Sequence, residues 1–176
     1  YLIHIRHRQA EADKNQRELE RALSDYQSLL AEVEGKPAMQ EVATRSQLGI
    51  GNCLVSLEKF GEALDFFQNI AEEAKDQAVL AGAFNGLGLC YLKQQKWKDA
   101  LLCFLRTEVL YDVNPELTAQ ALYYSGLCFA RMQGAGIGEE TGLRAKLQFR
   151  ECMRRFPGTP YATMSEQENA KVRVSR

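Results

Sequence analysis

His4 and His7 stand one helical turn apart, and two imidazoles at that spacing can share a metal ion. They are the only histidines, the third ligand is missing, and no metal site is expected. Cys53, Cys90, Cys103, Cys128 and Cys152 are odd in number, and none falls in a Cys-x-x-Cys or a Cys/His cluster. They read as small buried packing residues, and free thiols suit the cytosol without excluding an envelope compartment. Ser24, Ser28, Ser46, Ser56 and Ser125 have no histidine nearby in sequence and no Gly-x-Ser-x-Gly around them. The glycine string GAGIGEETG has neither the Gly-Lys-Ser/Thr ending nor the preceding strand of a phosphate loop. Glu72–Glu73 and Glu139–Glu140 read as solvated charge. No enzyme and no cofactor is expected, and the chemistry left to the chain is recognition.

Length and composition agree with that reading. A chain of 176 residues can bury a core of its own. Its 45% apolar and 26% charged residues are ordinary globular values. A net charge of −1 gives no general attraction to nucleic acid or anionic membrane. Only four prolines interrupt long periodic segments, which favours an all-helical protein. The opening YLIHIRHR is too short to span a bilayer. It reads as the first turn of an ordinary helix, or as the exit of a membrane anchor lying upstream of Tyr1.

The elements that must position any binding residues come from an internal repeat. GNCLVSLEKFGEALDFF (51–67) and GLCYLKQQKWKDALLCF (88–104) match position by position at an offset of 37. Gly51 pairs with Gly88, Cys53 with Cys90, Phe60 with Trp97, Ala63 with Ala100 and Phe67 with Phe104. A third copy begins at Gly126 and resumes at Ala145 and Phe149, with GAGIGEETG inserted as an expected loop. A mid-helix glycine costs roughly 1 kcal/mol of propensity and is tolerated where two helices approach closely. Gly88 and Ala100 are therefore expected to let two helices pack, with Tyr91 and Phe104 filling beside them. One such hairpin cannot bury its apolar face alone, so copies stack.

These residues resemble the tetratricopeptide repeat family over roughly residues 43–157. Phe84, Leu87, Gly88, Tyr91, Ala100, Phe104 and Pro115 fit its pattern in the second copy. Ile50, Gly51, Leu54, Ala63 and Phe67 fit in the first, and Leu122, Gly126, Phe129, Ala145, Phe149 and Pro157 in the third. The copies exceed the family's usual length of about 34 residues, and Gln47 replaces an aromatic in the first. The resemblance implies an all-α superhelix of about three antiparallel hairpins (43–79, 80–117 and 118–158) with flanking helices. It also implies that a protein or peptide binds along the concave face lined by the first helix of each pair. The positions carried over are Arg45, Leu48, Asn52, Val55 and Ser56; Asn85, Leu89, Leu92 and Lys93; and Gln120, Tyr123, Leu127 and Arg131. Asparagine amides can clamp a peptide backbone, and leucines with Tyr123 offer apolar pockets. Arg45, Lys93 and Arg131 together would receive an acidic or C-terminal carboxylate group. Leu89 and Leu127 are either offered to the ligand or covered by the next helix. The strongest expected contacts are Arg45, Asn52, Asn85, Leu89, Lys93, Tyr123 and Arg131.

Residues 1–42 read as an N-terminal helix with an incomplete repeat. Leu19, Ala22, Tyr26, Leu29 and Val33 form a seam that either packs onto the first copy or self-associates as a coiled coil. The chain is thus expected to be a monomer or a weak homo-oligomer. Residues 159–176 read as a polar capping helix, with Thr159 as cap and Pro160 in the first turn. FPGTPYA is similar to the inter-repeat joint of bacterial envelope proteins of this family, which tilts the expected location towards the cell envelope. The alternative role is assembly of a membrane-associated complex through the N-terminal helix.

Overall fold

The computed structural model describes residues 2–13, 15–112, 114–137 and 140–173. Tyr1 of the expected stub, the side chains of His4 and Arg8, and Gly138 and Glu139 of the insertion lie outside them. Every regular element among the described residues is a helix, and the helices pack in consecutive pairs. The chain divides into two units, Tyr1–Ala74 and Lys75–Arg176.

The N-terminal unit holds α1 (Leu2–Ala12), α2 (Gln16–Val33), a 3₁₀ turn (Pro37–Met39), α3 (Gln40–Ser56) and α4 (Phe60–Glu73). The expected single helix before the repeats is two. The chain breaks between Ala12 and Gln16, where the Asn15 side chain accepts the Glu18 N–H and caps α2. The apolar pattern of α1 does not mark its buried side, which consists of His7 and Ala10 against α2 and α3 while Leu2 and Ile5 are exposed. The α2 seam of Leu19, Ala22, Tyr26 and Val33 is buried and faces α3. It packs within the chain, as the first of the two readings had it.

The C-terminal unit holds α5 (Gln77–Lys93), α6 (Trp97–Leu110), α7 (Pro115–Gly134), α8 (Thr141–Arg155) and α9 (Pro160–Lys171). Asp76, Asn114 and Thr159 cap α5, α7 and α9 with their side-chain oxygens, and Pro115 and Pro160 occupy the first turns. Helices α3, α5 and α7 begin at 40, 77 and 115, three residues ahead of the expected copies at 43, 80 and 118.

The repeat has a steric basis. A β-carbon built on Gly88 would lie 2.6 Å from Cζ of Phe104, and one on Gly126 2.5 Å from Cε1 of Phe149. Gly51 stands in the same relation to Phe67, and Gly49 to the ring of Tyr26. The missing side chain is therefore the space its partner ring occupies. Phe67, Phe104 and Phe149 are fully buried, as are Ala63, Ala100 and Ala145 one turn before them. Each buried ring contributes about 1.5–3 kcal/mol of transfer free energy.

One turn geometry closes all three hairpins. Glu58, Gln95 and Gly136 each have positive φ, at 60°, 60° and 69°. Each donates its N–H to the carbonyl three residues back, and the following residue bonds five back. Aligned on Gly51, Gly88 and Gly126, the three helices begin in register and α7 runs three residues further before its turn than α3 and α5, at 20 against 17. The glycine-rich insertion is thus partly helix: Gly134 ends α7, and the turn follows. All five cysteines are buried. Burial pushes the thiols of Cys53, Cys90 and Cys128 up to about 12 and that of Cys103 up to about 11, which leaves them unreactive packing groups.

Candidate recognition face of α5, α7 and α9

Helices α5 and α7 pack side by side, and side chains four residues apart share a helix face. Leu89 and Lys93 on α5 stand at the same repeat positions as Leu127 and Arg131 on α7, 38 residues later. In both pairs the leucine is half-buried against the core of this unit and the cation is exposed. Two neighbouring helices therefore each present an apolar body followed by a positive charge. Of the two readings for Leu89 and Leu127, partial cover by neighbouring helices is what the packing gives, with an edge left open.

Two of the expected contact residues are interior. Asn85 is 2% exposed, and its Nδ2 donates to the Leu117 carbonyl at 2.9 Å and to Oε1 of Gln120 at 2.8 Å. Its amide clamps α7, not a ligand, and its buried Oδ1 has no hydrogen-bond partner among the described residues. Tyr123 is 6% exposed and lies among aromatic rings, with centroids 4.9 Å from Tyr124, 6.1 Å from Phe149 and 6.0 Å from Tyr161. Burial pushes its phenol up to about 12, with Glu168 adding to the shift and Arg131 opposing it. These two residues position the face without lining it.

Of the strongest expected contacts, Arg45 and Asn52 belong to the N-terminal unit, as does Ser56. Arg45 is exposed and bonded to Glu41 at 2.6 Å one turn earlier, an arrangement contributing about 0.3–0.5 kcal/mol. Asn52 is half-buried on α3. Ser56 is bridged to α1: its Oγ donates to Oε1 of Glu11 at 3.3 Å and lies 3.4 Å from Nε2 of His7. His7 is 5% exposed, so it serves to dock α1. Among the described residues no group of three metal-ligating side chains could hold an ion, and no helix is long and apolar enough to cross a membrane.

Sequence reasoning missed the opening beside α9. It measures about 380 Å³ and lies between α9 and the second half of α7, with Arg131 on one side and Lys171 and Arg173 on the other. The only signal was the basic end of a helix read as a polar cap. Compared with known protein families and with characterised proteins, the chain matches none.

Proposed function

We propose that the chain is a non-catalytic protein-interaction module of the tetratricopeptide type, which binds an extended peptide segment of a partner protein across α5 and α7. The observation that carries the reading is the pair of half-buried leucines followed by exposed cations, repeated in register on adjacent helices. Leu89 and Leu127 take apolar side chains, while Lys93 and Arg131 take acidic ones. Tight packing beneath, from the Asn85 clamp and the Gly88–Phe104 contact, keeps the face rigid and lowers the ordering cost of binding.

Co-precipitation with the immobilised chain tests this, using Lys93→Glu with Arg131→Glu against the parent. The expected result is a partner whose retention falls about tenfold or more in the charge-reversed variant, since like charges across an interface are repulsive. Undiminished retention by that variant, still folded, would rule the face out. A second reading rests on Leu2 and Ile5 of α1, which are 77% and 44% exposed: α1 attaches the chain to an assembly. Loss of the partner on Leu2→Ser with Ile5→Ser, and not on charge reversal, would favour it.

A further inference from the structure

The opening between α7 and α9 is bordered in part by the stretch of α7 in which the third copy departs from the other two. The three-residue extension of α7 supplies Gln133 and Gly134 at its edge. Nε2 of Gln133 donates to the Arg173 carbonyl at 2.6 Å, which holds the segment after α9 alongside α7. Gly142 makes that reach feasible, because a β-carbon there would collide with the Gln133 amide. Val172 is buried at 8%, so the segment is seated and Arg173 is delivered to a fixed side of the opening.

Its lining combines two chemistries. Leu127 and Val172 give an apolar floor, and Arg131, Lys171 and Arg173 outnumber the single carboxylate, Glu168. Lys171 is already paired with Glu168 at 2.7 Å. Arg131 and Arg173 are exposed and have no ion pair among the described residues, which leaves two guanidinium groups on opposite sides of an apolar hollow. A guanidinium presents a planar fork that matches a carboxylate, and the bond strengthens where an apolar neighbour excludes water.

We propose that this opening is a subsite for the carboxylate side chain of an Asp or Glu residue that adjoins an apolar residue in the bound peptide. The inference rests on the reading of α5 and α7 as a peptide-binding face, of which Arg131 is the shared edge. The apolar neighbour sits on Leu127 and Val172, and the carboxylate is held between Arg131 and Arg173.

A phage-displayed random-peptide library panned on the full chain is the test, followed by titration of one enriched synthetic peptide. The expected consensus is an acidic residue beside Leu, Ile or Phe. Affinity should fall tenfold or more in Arg131→Glu with Arg173→Glu, and by a smaller factor in Arg131→Gln with Arg173→Gln. It should also weaken with added salt. Unchanged thermal unfolding shows that each variant is folded. Enriched peptides that bind parent and charge-reversed chains alike, yet depend on Lys93, would overturn the subsite and leave the binding face standing. A selection that enriches no peptide would overturn the face and the subsite together.

Discussion

Alanine at Gly88 is expected to destabilise the C-terminal unit by up to about 2 kcal/mol, the reverse of what alanine usually does in a helix. By propensity alone Gly→Ala would add about 1 kcal/mol of stability. Here the new β-carbon would lie 2.6 and 2.7 Å from Cζ and Cε1 of a Phe104 ring with no exposed surface and nowhere to move. Overpacking of that kind costs about 1–3 kcal/mol or more, enough to reverse the sign. Phe104→Leu should cost a comparable amount by leaving a void, with Phe104→Ala reaching about 3–5 kcal/mol. The double variant Gly88→Ala with Phe104→Leu should be about 1–2 kcal/mol more stable than the sum of the single changes predicts. Denaturant unfolding of the parent, Gly88→Ala, Phe104→Leu and the double variant reads this directly. Additive effects would show that Gly88 and Phe104 do not share one space, and the steric account of the repeat would fall.

Asn85→Asp is the second large effect. The substitution is nearly isosteric, yet it exchanges a donor for an acceptor opposite the Leu117 carbonyl and Oε1 of Gln120. Gln120 can turn its amide to donate, whereas the backbone carbonyl cannot. A buried carboxylate with no cationic partner, facing a carbonyl, should cost about 3 kcal/mol at neutral pH. Burial raises the folded-state pKa of this new carboxyl above its unfolded value. The folded state therefore binds the proton more tightly, and the deficit is smallest below the unfolded pKa and grows as pH rises through the folded one. Thermal unfolding of parent and variant across the acid range should converge at low pH and diverge towards neutrality. Asn85→Leu, which installs the residue found at the matching position of the first copy, Leu48, should cost far less. A pH-independent gap for Asn85→Asp, or equal losses for Asp and Leu, would contradict the clamp.

The hairpins were legible because their steric requirement recurs: a small residue must face a ring at one spacing, and the sequence repeats both. The insertion was less so. Gly134 and Gly136 look alike in sequence, but Gly134 ends a helix while Gly136 takes the positive φ of the turn. Helix α1 was obscured because its large apolar residues Leu2 and Ile5 are exposed while its buried side is His7 and Ala10, so no apolar stripe marks the buried face. At the proposed recognition face the difficulty was of another kind. An asparagine on the first helix of a hairpin has the same sequence signature whether it faces a ligand or the next helix, and only the Leu117 carbonyl beside Asn85 decides it. The exposed cations Lys93 and Arg131 could be placed from register, whereas the part played by α9 depends on the single bond from Gln133 to the Arg173 carbonyl.

The most direct test of the central claim is photo-crosslinking in cells of the source organism, with a benzophenone amino acid placed singly at several positions. Positions 93 and 131 sample the recognition face, 102 and 147 the exposed leucines of α6 and α8, and 5 the surface of α1. The account predicts that one partner protein is captured from positions 93 and 131 and not from the other three. Capture from position 102, 147 or 5, with nothing from 93 or 131, would place the working surface elsewhere and contradict it.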